Sequence, residues 1–324
     1  MKVLYIPIPG SLQPWYDDFV TATGGRHDVR LFDHAGSLAE QFTDIEAVVA
    51  RGSKTGTREM VDVAAQVGVR LWQITGAGLD GADIPYMLER GLMVAHTPGQ
   101  FSGIALAEHA MYFMLWFAKK YHACQDQMRS ETFYGPATEE LHSATLGVIG
   151  LGASGRELAL RAAAFGMRVM AIDVVEVPSD QWADLGIAYL GKPSDLKHLL
   201  AESDYVSLHL PLTPQTRQLI GRRELQWMKP TAVLVNVARG ELVDETALVE
   251  ALRSGEIGGA GLDAFITEPL PAGHPLMEMN NVLATPHNGG GSRGTSRRRG
   301  AAAAENIDRI AQGLPLLYQI KPQA

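Results

Sequence analysis

Short apolar runs alternate along the chain with segments whose apolar residues fall at helical spacing. Residues 3–8, 28–32, 47–50, 70–74 and 92–95 have strand length, while 57–67 and 84–90 carry the i, i+3, i+4 pattern of amphipathic helices. Continuous rather than alternating runs suit strands covered on both faces, so this first stretch predicts a small parallel sheet flanked by helices. Residues 103–124 predict one long helix that opens with small residues and becomes rich in Met and aromatics. The runs then resume at 146–149, 169–172, 205–210, 232–237, 259–262 and 282–284, with helical segments near 194–202, 222–227 and 245–254. That is the pattern of a doubly wound sheet. Residues 301–312 read as a helix ended by Gly313 and Pro315, and 316–320 as a strand returning to the first sheet. The expected organisation is a discontinuous domain, 1–98 with 291–324, into which a second domain, 99–290, is inserted.

The run at 146–149 ends in Gly150, Gly152 and Gly155, spaced G-x-G-x-x-G, and the next run ends in Asp173, 21 residues after Gly152. Gly150 permits a tight turn, Gly152 lets backbone approach a pyrophosphate, and Gly155 lets the helix pack close to the sheet. The helix N-terminus offers N–H groups to the phosphates. Asp173 suits a ribose 2′-hydroxyl and would repel a 2′-phosphate, and Val174, Val175 and Glu176 add no cation, so NAD is favoured over NADP. The alternative is an ordinary strand–turn–helix with acids on a solvated edge.

With 324 residues the chain is long enough for two cores. A net charge of −8 argues against general nucleic-acid binding. The run Arg297–Arg299 reads as a solvated helix face near a helix start. One cysteine, Cys124, rules out an internal disulfide framework; with an N-terminal apolar patch too short for a signal peptide and no bilayer-length run, the expectation is a cytoplasmic protein without membrane contact. No metal site is expected. Residues 125–142 are polar around an apolar island, Phe133 to Pro136, which fits a subunit-contact arm or a plain surface loop.

In a parallel sheet, residues just past the strands' C-terminal ends gather on one edge. Arg239, Asp263 and His287 each follow an apolar run closely, and Glu268 comes shortly after Asp263. Arginine is a two-pronged cation suited to a carboxylate, histidine is the natural proton donor near neutral pH, and Glu268 is available to orient His287. Asp263 is placed to bond a cofactor amide or Arg239. Taken singly, each has a structural alternative, a salt bridge or a turn residue. In the first domain, Thr75-Gly76-Ala77-Gly78 follows a strand and either cradles an anion or is simply a tight loop.

The segments 150–155, 209–214, 235–240, 263–269 and 285–289, with Ala107-Glu108-His109 and Thr97-Pro98-Gly99, resemble the D-isomer-specific 2-hydroxyacid dehydrogenases. The likeness covers nearly the whole chain and is densest from 97 to 290. It implies an NAD-binding domain of Rossmann type inserted into a smaller flavodoxin-like substrate domain, with the active site between them. It further implies that Arg239 binds the substrate carboxylate, His287 exchanges the proton, and Glu268 tunes it. Gly76 and Ala77 would hold the substrate carboxylate through backbone N–H groups. NAD contacts are implied at Gly150, Gly152, Ala153, Ser154, Gly155, Arg156, Asp173, Leu210, Pro211, Thr216, Val237, Ala238, Arg239, Asp263, His287 and Gly289. Members are usually homodimers joined through the cofactor domain.

The implied reaction is hydride transfer between NAD(H) and a D-2-hydroxy acid or 2-oxo acid. Phosphite oxidation on the same scaffold is one alternative, and an NADH-sensing, corepressor-like binding protein is another. Three departures put the substrate in doubt. Ser102 stands where many members carry Asn, Ser143-Ala144 replaces a common Gly, and Arg51-Gly52-Ser53-Lys54 matches the usual loop only approximately. Lys54 either favours a second anionic group on the substrate or is a solvated surface lysine.

Overall fold

A computed structural model describes residues 1–131, 133–176 and 178–321 of the chain; Thr132, within 125–142, lies outside them. Thirteen strands run in chain order among the described residues. They are β1 (Lys2–Ile6), β2 (Asp28–Leu31), β3 (Ala47–Ala50), β4 (Leu71–Ile74), β5 (Met93–His96) and β6 (Thr145–Ile149). Then come β7 (Arg168–Ile172), β8 (Ile187–Gly191), β9 (Tyr205–Leu208), β10 (Val233–Asn236), β11 (Gly259–Leu262), β12 (Val282–Ala284) and β13 (Gln319–Ile320). The chain divides into two units, 1–102 with 291–324, and 103–290.

The first unit carries the sheet β13-β5-β4-β3-β1-β2, parallel except for β13, which pairs antiparallel with β5. Its central strands β3 and β4 are buried along their whole length; β3 is an unbroken apolar run, and β4 is interrupted only by Gln73, whose Oε1 accepts from Asn306 Nδ2 at 2.7 Å. The strand β2 is different: as the sheet edge it leaves Asp28 and Leu31 exposed. On one face the helix Trp15–Thr23 and the helix Arg293–Ala311 bury Phe19, Ala303, Ala304, Ile307 and Ile310 against Val3 and Tyr5. The two helices touch closely, since a Cβ on Gly300 would lie 3.1 Å from the backbone of Asp18 and Phe19. Residues 99–102, placed with the second domain from sequence, group with this unit. Phe101 packs edge-on against Tyr318 at 5.5 Å between ring centres, and its carbonyl accepts from Arg298 Nε at 3.0 Å.

The second unit holds the fully parallel sheet β12-β11-β10-β9-β6-β7-β8. Read outward from β6, the winding reverses there: β7 and β8 extend one way, β9 to β12 the other. The C-terminal end of β6 is therefore the switch point at which such sheets bind ligands. The first sheet likewise has the 2-1-3-4-5 order of flavodoxin-like folds. Both expected parallel α/β sheets are present.

Three local expectations change. The helix foreseen over 103–124 stops at Ala118, and Lys120 at φ +47° separates it from a second helix, Tyr121–Arg129. The last long helix begins at Arg293, where the Ser292 hydroxyl accepts from Thr295 N at 3.1 Å and caps the N-terminus. That earlier start places Arg298 and Arg299 on a half-buried face, leaving only Arg297 of the three exposed. Among the described residues no helix is long and apolar enough to cross a membrane, and no cluster of three His, Cys, Asp or Glu could hold a metal.

Candidate active site

The glycine loop turns sharply out of β6. Gly150 has φ +98°, and a Cβ there would stand 2.6 Å from the His209 carbonyl oxygen. A Cβ on Gly155 would stand 2.0 Å from the Gly150 oxygen, so the helix Ala153–Ala164 sits against the turn at a distance only glycine allows. Gly152, by contrast, has open space where a Cβ would project. It caps the helix without any side-chain hydrogen bond, which leaves the first-turn N–H groups unclaimed by a side chain. Asp173, at the end of β7, accepts from Leu151 N at 2.5 Å and Val175 N at 2.8 Å, tying the second strand end to the loop. An uncapped helix N-terminus beside an open glycine, with a carboxylate at the next strand end, fits a dinucleotide.

Other residues expected around the cofactor brace this loop. Arg156 Nε donates to the Leu151 carbonyl at 3.0 Å. The Leu210 side chain reaches the position a Cβ on Gly150 would crowd, and Thr216 donates to the Pro211 carbonyl at 2.7 Å, closing the turn after β9. Val237 is buried, and Ala238 N donates to Asn236 Oδ1 at 3.1 Å.

His209 received no role from sequence, yet it links the two halves of the switch point. Its Nδ1 lies 2.9 Å from Ser154 Oγ and its Nε2 2.9 Å from Ser207 Oγ. Burial pushes its pKa down to about 4, so the ring is neutral. An unfolded imidazole binds a proton below the ordinary value of 6.5, whereas the folded one does so only near 4. The unfolded state thus binds more protons in that window. The stability His209 contributes is complete above 6.5 and is lost by about 3 kcal/mol as pH falls to about 4. We predict that His209→Gln flattens this part of the pH dependence in urea unfolding; an unchanged slope would contradict the assignment.

The second cluster stands past β10, β11 and β12. Asn236, Leu262 and Ala284 lie in register, so the residues that follow leave the sheet at one level. The Asn236 side chain donates to the Arg239 carbonyl at 2.8 Å, and Arg239 Nη1 donates to the Ala238 carbonyl at 2.8 Å. A Cβ on Gly240 would lie 2.0 Å from the Phe265 backbone, so the loops bearing Arg239 and Glu268 run in contact. Glu268 Oε1 accepts from Phe265 N at 3.2 Å and lies 2.7 Å from His287 Nδ1. With Nδ1 facing a carboxylate, the ring proton belongs there, and Nε2 is left to accept or donate. His287 is exposed and sits at φ +52°, in a turn closed by its N–H to the Thr285 carbonyl at 2.9 Å.

Asp263 turns out to hold that turn. Its Oδ1 accepts from Thr285 Oγ1 at 2.7 Å and Asn288 N at 2.9 Å, and its Oδ2 accepts from Gly289 N at 2.7 Å. His109, whose pKa burial lowers, meets Thr285 Oγ1 at 2.9 Å from behind. Gly76 and Ala77 belong to the first unit, after β4. A Cβ on Gly76 would lie 3.4 Å from Gly52 Cα, and His96, with its pKa lowered by burial, neighbours the backbone of both.

The family model described as "D-isomer specific 2-hydroxyacid dehydrogenase, NAD binding domain" matches residues 111–289, more than half of the chain. The chain belongs to the D-isomer-specific 2-hydroxyacid dehydrogenase family. Residues 111–289 are thus an NAD-binding domain of that family. A D-3-phosphoglycerate dehydrogenase of Methanocaldococcus jannaschii is 36% identical over 85% of this chain and 52% of its own length. The chain therefore spans about half of that relative. A glyoxylate reductase of Korarchaeum cryptofilum is 34% identical over 85% of this chain and 82% of its own. The NAD complex of a D-isomer-specific 2-hydroxyacid dehydrogenase from Lactobacillus delbrueckii ssp. bulgaricus superposes with a TM-score of 0.82 at 26% identity, covering 99% of this chain and all of that one.

Proposed function

We propose that the protein interconverts a D-2-hydroxy acid and its 2-oxo acid with NAD. The observation that carries this reading is the His287–Glu268 pair at 2.7 Å, on the sheet edge that also bears the glycine loop. Residues 150–156, Asp173, Leu210, Pro211, Thr216, Val237, Ala238 and Gly289 would hold NAD, which would supply hydride acceptor or donor chemistry at substrate C2. Arg239 pairs with the substrate carboxylate, and the Gly76 and Ala77 N–H groups bind the same group. In reduction, His287 Nε2 gives its proton to the C2 oxygen as the carbonyl becomes a hydroxyl; in oxidation it takes that proton back. Glu268 holds the ring by Nδ1 and stabilises the imidazolium. Asp263 acts as a positioning residue, fixing the turn that presents His287.

A screen of NADH oxidation over 2-oxo acids of differing size and charge tests the reading, with NADPH for comparison. Turnover of at least one 2-oxo acid, with NADH preferred, is expected. Turnover of phosphite alone would replace the substrate and keep the scaffold. NADH binding without turnover of any donor would move the protein to the sensing class.

We further propose a cytoplasmic homodimer joined through the second unit. Phe133 and Tyr134 are 81% and 88% exposed and line one surface pocket with the exposed Met128 of the helix Tyr121–Arg129. So much contiguous apolar surface is what an interface covers. Sedimentation equilibrium reads the subunit number.

A further inference from the structure

A line of three side chains runs from the interior of the second unit to the first turn of the helix Ala153–Ala164. Ser207, on β9, is fully buried, and its Oγ lies 2.9 Å from His209 Nε2. The opposite ring nitrogen, Nδ1, lies 2.9 Å from the Oγ of Ser154, the second residue of that helix. The His209 backbone is fixed as well, its N–H donating to the Ile149 carbonyl at 2.8 Å. Among the described residues the Ser207 and Ser154 hydroxyls have no hydrogen-bond partner besides this ring.

Burial keeps the ring neutral near pH 7, so one nitrogen carries a proton and the other accepts. The two arrangements are not equivalent. With the proton on Nε2, the ring donates to Ser207 Oγ, and the Ser207 proton is left in the interior with nothing to accept it. Ser154 would then donate to Nδ1 and turn only lone pairs toward the helix N-terminus. With the proton on Nδ1, Ser207 donates to Nε2 and the ring donates to Ser154 Oγ, so every buried donor has an acceptor. The Ser154 proton is then released from the ring and points away from it. Buried polar groups are satisfied wherever the geometry allows, which selects the second arrangement.

We propose that Ser207 and His209 form a hydrogen-bond relay that turns the Ser154 hydroxyl into a donor for the cofactor pyrophosphate. Ser154 touches the cofactor; His209 and Ser207 act through it as positioning residues. The first-turn N–H groups of the helix are unclaimed by any side chain, so an outward O–H adds one more donor to a set that already favours an anion. An outward lone pair would oppose it. The relay rests on the reading that residues 150–156 hold the pyrophosphate, and it holds whichever acid is turned over. It also gives a task to an imidazole placed in the interior at a strand end, where an apolar side chain would fill the space.

Calorimetric titration of the whole protein with ADP-ribose and with adenosine tests the proposal. Ser154→Ala should weaken ADP-ribose about tenfold and leave adenosine within about twofold, because adenosine lacks the pyrophosphate. Alanine suits a helix, so the melting temperature should hold. Ser207→Ala should weaken ADP-ribose about threefold and cost nothing further once Ser154 is alanine, since the relay ends there. A fold defect at Ser207 would persist in the double variant. The ring supplies a direct signature in long-range proton–nitrogen NMR spectra at neutral pH. The His209 signals, identified by their loss in His209→Gln, should be those of a neutral ring protonated at Nδ1. Protonation at Nε2, an equal loss for both ligands, or additive losses in the double variant overturn the relay. Gly155→Ala separates this outcome from a failure of the cofactor placement. If Gly155→Ala weakens ADP-ribose while Ser154→Ala does not, the placement stands and the relay falls. If neither variant changes ADP-ribose binding, residues 150–156 do not hold the pyrophosphate and both fall.

Discussion

His287→Gln is expected to lower kcat by about 10²–10⁴-fold while leaving NADH affinity within about threefold. Glutamine keeps a polar group opposite Glu268 but cannot carry and release a proton at the substrate oxygen. The glycine loop and Asp173 belong to other strand ends, so the cofactor should still bind. Glutamine would inherit the left-handed backbone at φ +52°, which histidine tolerates somewhat better, so the melting temperature should fall by no more than a few degrees. Stopped-flow turnover and NADH fluorescence titration read the two quantities separately. Near-wild-type turnover would remove His287 from the proton step and with it the proposed mechanism.

Gly155→Ala should damage binding and stability together. The added methyl would stand 2.0 Å from the Gly150 oxygen, and that neighbour is backbone that cannot rotate away. The helix must back off the turn, at a cost of about 1–3 kcal/mol, and the phosphate-facing N–H groups move with it. We expect NADH affinity to fall about 100-fold and the melting temperature by several degrees. Gly152→Ala supplies the contrast, because its Cβ would meet nothing within 4 Å. That variant should keep its melting temperature and lose affinity only because the methyl intrudes where a pyrophosphate approaches. Calorimetry and NADH titration of both proteins decide the matter; a Gly155→Ala protein with unchanged melting and affinity would refute the packing argument.

The sheets were legible because parallel strands covered on both faces become largely apolar runs, as in β3, in β4 apart from Gln73, and in β6 after Thr145. Edge strands lose that signal. In β8, Ala188 is exposed and Tyr189 and Leu190 are only partly covered, so it does not stand out from its surroundings. The helix Trp15–Thr23 also escaped notice, since Pro14 precedes it without a capping side chain. Residues that follow strands are easy to place on an edge, which is how Arg239, Asp263 and His287 could be named. What their side chains touch depends on other strands. Asp263 follows β11, but the bonds its oxygens accept come from Thr285, Asn288 and Gly289, some 22 to 26 residues later. The link from His209 to Ser154 spans 55 residues and leaves no periodic trace. The partly buried Arg298 and Arg299 are hidden in the sequence for a different reason. Stepping back by three and four from Ile310 through Ile307, Ala303 and Gly300 reaches Ser296, all on the buried stripe. A helix begun at 301 cuts that stripe short and leaves Arg299 beyond its end.

The discontinuity of the first unit also orders events during synthesis. The helix Arg293–Ala311 supplies Ala303, Ala304, Ile307 and Ile310, which cover Val3, Tyr5 and Phe19. Those coverers follow the whole of the second unit, about 190 residues, along the chain. At ribosomal rates of about 5–20 residues per second, one face of the first sheet waits roughly 10–40 s for its lid, while the second unit already has every residue it needs. The nascent chain carries an exposed apolar face through that interval, so the first unit is completed only after the second.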